Sequence, residues 1–282
     1  MIFLAPLLIQ AEAEPARFLP PLAVPFRVVT ERDQQGVSGH YRFRVERLVR
    51  FARDGLGYRA ELRVTAVEGE GSEDVSTMFE ASYSGLTGRT LVLRLDAAGK
   101  VIAIDDREAV WAAVCDSVGR IFALRTHKSA EERALLARRI AEPLRSLPPE
   151  RQLRVLGSIL DAMIAHEPGE AIGTRQVRVP GDSPFGGKLS LTGTRTVAPI
   201  PLGRRISVEA SGDAALPAAN GSQPPSGHVV LAILRDFDTA TGLLTASSET
   251  VTSQLDQPGI SPTVRIATTR VERLDPAAWP AD

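Results

Sequence analysis

The sequence predicts an α+β fold that is mainly antiparallel β, with two curved antiparallel sheets joined and covered by a central group of about three helices. Apolar and polar residues alternate both before and after residues 105–165, which is typical of half-buried strands. Within residues 105–165 the apolar spacing changes to three and four, which is typical of helices. With 282 residues, 43% apolar and 24% charged, the chain can bury a core without disulfides or metal ions.

The first β block is predicted over residues 26–104, after an extended proline-rich lead-in at residues 14–25. Apolar residues alternate from Tyr41 to Phe51 with one break at Glu46 and Arg47, which predicts a β-bulge. Residues 68–74 are predicted to form a surface loop. The predicted strands of this block are 26–30, 41–51, 58–66, 78–83, 90–95 and 101–104.

The helical middle is predicted over residues 105–165. The first helix begins at Asp105 or Asp106, whose side chains can accept hydrogen bonds from its free N–H groups, and ends near residue 125. Residues 129–132 form a capping box that begins a second helix, which Pro143 ends or kinks. A third helix follows Pro148. Each helix has an apolar stripe, and the apolar face of a sheet is the expected partner surface.

The second β block is predicted over residues 166–274, with a flexible loop at 212–227 and a C-terminal tail at 275–282. Residues 91–104 and 229–251 both read as an apolar strand, a turn that begins with Asp and a return strand. This similarity is interpreted either as a weak internal repeat or as the chance likeness of two hairpins.

Residues 1–13 are interpreted as a signal peptide, which predicts a periplasmic or otherwise exported protein. The apolar run 2–9 is too short to span a bilayer, and Ala11-Glu12-Ala13 has the form of a cleavage site. No Lys or Arg precedes the run, so a cytoplasmic protein with an apolar tail packed on its core is the alternative. Cys115 is the single cysteine and cannot form an intramolecular disulfide.

No catalytic residue is predicted. The sequence lacks a Gly-x-Ser-x-Gly motif. Ser38 lies near His40, and Asp182 lies beside Ser183, but both pairs are interpreted as turn residues because adjacency does not supply catalytic geometry. Cys115 lies near an apolar helix stripe, where a thiol behaves as a small hydrophobic group.

No metal or cofactor site is predicted either. The four histidines are scattered, and the sequence around His166 lacks the second His of a zinc-protease helix. The glycine-rich segments 55–57 and 68–71 lack the Lys-Ser/Thr ending of a phosphate loop. The carboxylates of Asp105 and Asp106 are explained by helix capping. The histidines are His40, His127, His166 and His228.

Nucleic acid and membrane-spanning roles are disfavoured. The net charge is -1, and no apolar stretch is long enough to cross a bilayer. Arginines of one segment alternate with aromatic residues, so the two groups are expected on opposite faces of a strand and the arginines in solvent. The arginines are Arg42, Arg44, Arg47 and Arg50, and the aromatic residues are Tyr41, Phe43 and Phe51.

Residues 41–64, 91–111 and the ending Asp238-Thr-Ala-Thr-Gly-Leu-Leu244 resemble exported β-rich proteins of Gram-negative bacteria that carry two β repeats around a helical connection. The strand, Asp turn, Gly and strand pattern is more distantly similar to periplasmic lipoprotein carriers of the LolA type. In those carriers helices close a curved sheet over an apolar cavity. The resemblance implies no individual ligand-binding residue and no oligomeric state.

The apparent export signal, the helix stripes and the missing catalytic motifs predict a non-enzymatic envelope protein that binds an apolar ligand, a lipid or a lipoprotein segment, between sheet and helices. Two alternatives stay open: an envelope interaction module with a filled core, and a hydrolase whose His and carboxylates meet only in the fold. If Trp111, Phe122 and Leu156 fill the concavity of the sheet, the filled core is favoured.

Overall fold

The computed structural model describes residues 18–36, 39–124, 129–164, 171–182, 188–215, 226–256 and 259–280. The described residues form eleven antiparallel strands, four α-helices and one short 3-10 turn, which confirms the α+β, mainly antiparallel class. The strands are β1 Phe26–Gly36, β2 Gly39–Asp54, β3 Gly57–Glu70, β4 Thr90–Leu95, β5 Val101–Ile104, β6 Gly173–Asp182, β7 Lys188–Ile200, β8 Gly203–Ala215, β9 Ser226–Asp238, β10 Leu243–Leu255 and β11 Thr263–Arg273. The helices are α1 Glu73–Ser84, α2 Arg107–Leu124, α3 Ala130–Arg145 and α4 Pro149–Asp161.

All eleven strands belong to one sheet, in the order β5-β4-β3-β2-β1-β11-β10-β9-β8-β7-β6. The prediction of two separate sheets is therefore wrong. The blocks are joined by pairing of β1 with β11, which runs from Phe26 opposite Arg273 to Gln35 opposite Val264. The physical reason is that β1 continues to Gly36, past its predicted end, and offers β11 a long free edge.

Two segments of the first block differ from prediction, one because it lies in α1 and the other because it extends β3. Residues 78–83, predicted as a strand, lie in this helix, and residues 68–70 of the predicted loop extend β3. Phe79 and Tyr83 are four apart and pack together on the first core, and the Phe79 ring stacks on Phe43 at 4.5 Å. Their spacing is helical, and burial of these rings against the sheet favours the helix over the strand.

The register of β2 and β3 shifts at the predicted place, between Glu46 and Arg47, but the extra residue of this β-bulge is Thr65 on β3, and β2 keeps a regular alternation against β1. The strand registers place Val28 on β1, Leu62 on β3 and Leu231 on β9 on the same face of the sheet. We call the face that carries these residues the inner face, and its opposite the outer face.

The helices cover the inner face of the first block. The capping box of α3 is confirmed, with the Ser129 side chain accepting from the Glu132 backbone N–H, and α3 continues through Pro143 to Arg145. Trp111 on α2 is buried and donates from Nε1 to the Leu144 carbonyl at 3.0 Å. Leu156 on α4 is also buried in the core formed with the sheet. The side chain of Phe122 is outside the part of the chain that the structure describes.

The helical half of the molecule is therefore packed. Leu160 and Met163, at the end of α4, are fully buried, and the Leu244 N–H donates to the Met163 carbonyl at 2.9 Å. This bond and the bridge between Ile164 and Leu243 attach the end of the helical layer to the start of β10.

Candidate ligand-binding groove

The second block has its own apolar cluster, separate from the core under the helices. Every residue of this cluster comes from β6 to β10, and none comes from a helix. Its buried members are Leu189, Leu191, Val197, Ile206, Val208, Ala210, Val229, Leu231, Phe237 and Leu244. The inner face of the second block thus presents an apolar surface made by strands alone.

An open cavity of about 360 Å³ lies on this surface. Its floor includes Leu231 and Val251, which face each other on β9 and β10. Val179 on β6 and Gln34 on β1 line the same cavity. On a flat sheet these two strands, six positions apart, would be separated by roughly 29 Å, so the sheet must curl to bring them to one cavity. We call this cavity the groove.

The rim of the groove is polar at β1, β10 and β11, where Gln34, Arg265 and Glu249 line it. Arg265 is exposed and lies opposite Gln34 on one side and Val251 on the other. Within the described ranges, the side chains of these three polar residues have no hydrogen-bond or ion-pair partner. The rim therefore combines a free cation, a free amide and a free carboxylate next to an apolar floor.

Charged residues are divided unequally between the two faces of the second block. The registers place arginine on the inner face of β6, β7, β8, β9 and β11, whereas Glu249 is the single carboxylate among the described residues of that face. These arginines are Arg175, Arg195, Arg204, Arg235, Arg265 and Arg273. Glu209, Asp213, Asp236, Asp238 and Glu272 lie on the outer face. Of these arginines, Arg265 is the one that lines the groove.

The arginines of β2 follow the expected alternation with one exception. Arg42, Arg44 and Arg50 lie on the outer face, opposite the aromatic residues of the strand, and all three approach carboxylates. Arg44 and Arg27 both bind Glu46, and the hydrogen bond from Arg27 holds the pKa of Glu46 below its usual value. These arginines belong to an outer-face ion-pair network.

Arg47 is the exception, because it is in phase with Phe43 and Val45 on β2, opposite Val28, and therefore lies on the inner face, where it is 3% exposed. Its guanidinium donates to the Ile159 carbonyl at 2.6 Å and to the Thr30 hydroxyl, and its Nε has no partner among the described residues. Ile159 is in the last turn of α4, where carbonyls lack helical partners and the helix dipole is negative. Burial lowers the pKa of Arg47, and the helix end supplies the compensating negative charge that a carboxylate would otherwise provide.

The residues considered for catalysis do not form a site within the described part of the chain. Cys115 is fully buried, and burial raises the pKa of its thiol. The His40 Nε2 lies 3.1 Å from Asp33, and the His228 Nδ1 lies 2.7 Å from Asp213, both at the surface. His127, His166, Ser38 and Ser183 lie outside the described residues. Among those that are described, no group of three or more His, Cys, Asp or Glu could hold a metal ion.

Asp105 differs from its predicted role as a helix cap. Its carboxylate accepts from the Arg94 Nε at 2.7 Å, and this hydrogen bond lowers the pKa of the Asp105 carboxyl. The pair joins β4 to the start of the helical middle at the surface. None of the described helices is long and apolar enough to cross a membrane.

No protein-family model matches the sequence, and no curated protein matches it. Among solved structures, a chain from a structure of lipid–protein interactions in lipovitellin matches with a TM-score of 0.37 and 7% sequence identity. The match covers 90% of this chain and 25% of that chain, so this chain spans a quarter of its length. At this TM-score the likeness carries no information about a ligand.

Sequence reasoning did not identify the groove residues. The alternation of Val229, Leu231 and Ile233 predicted an apolar strand face but not that this face lies outside the helical layer. The signal that could have identified the rim is the segment 263–270, where Arg265 alternates with threonine and alanine on the same face instead of the apolar residues expected of a core strand.

Proposed function

We propose that this protein is a non-enzymatic binder of an apolar chain, such as the acyl chain of a lipid, and that the ligand lies in the groove. The observation that carries the proposal is the cavity of about 360 Å³ on an apolar sheet face that strands alone form. This volume lies within the range of about 300–1,000 Å³ that is common for small-molecule sites.

The energetics of the groove suit an acyl chain. Each methylene buried from water contributes about 0.8 kcal/mol, so roughly ten buried methylenes contribute about 8 kcal/mol before the entropic cost of association. Only a few polar groups face the floor, so little desolvation of the protein opposes this gain. The ligand position proposed here is beside the helices, because Trp111 and Leu156 occupy the space between helices and sheet.

The helical half has a different role in this proposal. Its packed core and the Arg47 contact to α4 hold the first five strands as a fixed scaffold. The interpretation of the protein as a module with a filled core therefore applies to that half, while the second half supplies the binding surface.

A matched pair of variants tests the proposal. Ile233 partly lines the groove, so Ile233→Trp is expected to fill it and weaken binding at least tenfold, since the added ring occupies the volume of the ligand. Leu234, the next residue on β9, is 38% exposed on the outer face, so Leu234→Trp is the control and should bind as the unmodified protein does. Binding is measured by titration with the neutral probe N-phenyl-1-naphthylamine, excited in its own absorption band.

Two results would contradict this location or this function. If the delipidated protein does not bind the probe and releases no lipid on extraction, the proposed function is wrong. If Ile233→Trp and Leu234→Trp bind the probe equally well, the apolar ligand lies elsewhere. Displacement of the probe by an apolar peptide but not by an acyl chain would indicate a protein segment as the occupant.

We also propose that the protein works in the cell envelope after export, as the apolar run 2–9 and the Ala11-Glu12-Ala13 pattern support. Mass spectrometry of protein made in its native host is expected to show a mature chain that begins at Glu14. A chain that retains Met1 or Ile2 would contradict export and favour the cytoplasmic alternative.

A further inference from the structure

We infer that the ligand is a single-chain amphiphile with an anionic head group, a carboxylate or a phosphate, and that Arg265 binds this head group. This inference rests on the proposed function, because it concerns the same groove. It adds the chemical class of the head group, which the apolar floor alone does not determine.

Arg265 is placed to bind the head of a chain that lies on the groove floor. It lines the cavity from β11, next to Gln34 on β1 and Val251 on β10. Its guanidinium is exposed and, within the described part of the chain, has no ion pair and no hydrogen bond. A guanidinium offers a planar set of donors that matches a carboxylate or a phosphate, and the Gln34 amide can donate a further hydrogen bond.

A second arginine supports the same anion position. Arg32 lies opposite Ala267, two residues along from the Gln34–Arg265 pair, so Arg32 and Arg265 are diagonal neighbours on the inner face. Diagonal positions on adjacent strands are within reach of long side chains. Arg32 also has no hydrogen-bond or ion-pair partner among the residues described. Besides burial, the charge of Arg32 helps to lower the pKa of Arg47.

Glu249 determines on which side of the groove the head group lies. It lines the cavity from β10, opposite Ile233 and Ala267, and it makes no ion pair with Arg265. Glu249, like Arg32, is a diagonal neighbour of Arg265, so repulsion between like charges is expected to place an anionic head on the β1 side of Arg265, next to Gln34 and Arg32. The apolar chain then extends over Val251 and Leu231 toward the apolar residues of β7 and β6.

The test compares ligands that differ only in the head group. The delipidated full-length protein is titrated with hexadecanoate, with its methyl ester and with hexadecyl phosphate, each by displacement of N-phenyl-1-naphthylamine. We expect the protein to bind hexadecanoate or hexadecyl phosphate roughly tenfold more tightly than the ester, because the ester has lost the charge-assisted hydrogen bonds. The preferred anion identifies the head group.

Arg265→Gln is expected to remove this preference, because it weakens binding of the two anions until they bind no more tightly than the ester. The matched control is Arg270→Gln, which removes an exposed arginine from the outer face of the same strand and should keep the preference. A preference that persists in Arg265→Gln, or that Arg270→Gln abolishes equally, would overturn the role of Arg265.

The outcomes separate this inference from the proposed function. Equal affinity for acid, phosphate and ester in the unmodified protein would overturn the anionic head group and leave the apolar groove intact. Tighter binding of hexadecylphosphocholine than of either anion would also overturn it, in favour of a zwitterionic head that uses both Arg265 and Glu249. Failure to bind the neutral probe and all three ligands would reject the groove itself.

Discussion

Replacing Leu160 with alanine is expected to lower the free energy of unfolding by about 3 kcal/mol, because a fully buried leucine leaves a cavity when it is truncated. Leu160 lies at the end of α4, in the core between the helices and the first block. Val251→Ala is the comparison, since Val251 is partly exposed in the groove and its truncation should cost only about 1 kcal/mol.

Urea unfolding followed by tryptophan fluorescence measures both changes, with the slope of the transition checked for two-state behaviour. The test depends on the difference between the two losses in the free energy of unfolding. Equal costs would contradict the division of the inner face into a packed helical half and an open groove.

Replacing Arg47 with alanine is also expected to cost about 3 kcal/mol. The change removes a long buried side chain and leaves the Ile159 carbonyl, at the end of α4, without its donor. Arg42→Ala, on the outer face of the same strand, is the control and should change stability by about 0.5 kcal/mol or less, because Arg42 is solvent-exposed.

Arg47→Met separates the two contributions to this cost. Methionine retains most of the buried volume and removes a desolvated charge, so the loss is expected to be smaller than for alanine. The same urea transitions provide the measurement. A cost for Arg47→Ala no larger than that of Arg42→Ala would show that Arg47 does not hold α4 on the sheet.

The class of the fold followed from periodicity, because a change from alternation to spacings of three and four requires only local information. The helix α1 was missed for a local reason as well. Phe79, Ala81 and Tyr83 alternate as a strand does, while Phe79 and Tyr83 also have the spacing of a helix, so this short segment satisfies both periods.

The arrangement of the blocks could not be predicted in the same way. The sequence of a strand does not specify which other strand will pair with its edge. Nothing in residues 26–36 or 263–273 therefore shows that these two strands pair with each other. The break at Glu46 and Arg47 did predict the bulge. Arg47 occupies an inner-face position of β2 by alternation, but its contact with the end of α4 depends on where the helix lies and is a property of the assembled fold.

The groove was beyond sequence reasoning for a related reason. An apolar strand face indicates that another element or a ligand covers the strand, and an apolar helix stripe indicates that the helix packs on another surface. Neither pattern identifies the partner. Because the helices cover the first block, the apolar residues on β9 and β10 line the groove instead of a helix-covered core.

The pairing of β1 with β11 has a consequence for the order of folding. Every other described strand and α-helix lies between these two strands in the sequence, so the centre of the sheet closes only after β11 has been synthesised. Until then β1 presents an open edge beside β2, and contacts between such distant segments form slowly. We expect the helical half to fold first, with the edge of β1 unpaired until β11 is available. This edge is then the part of an incompletely synthesised chain that is most prone to aggregation.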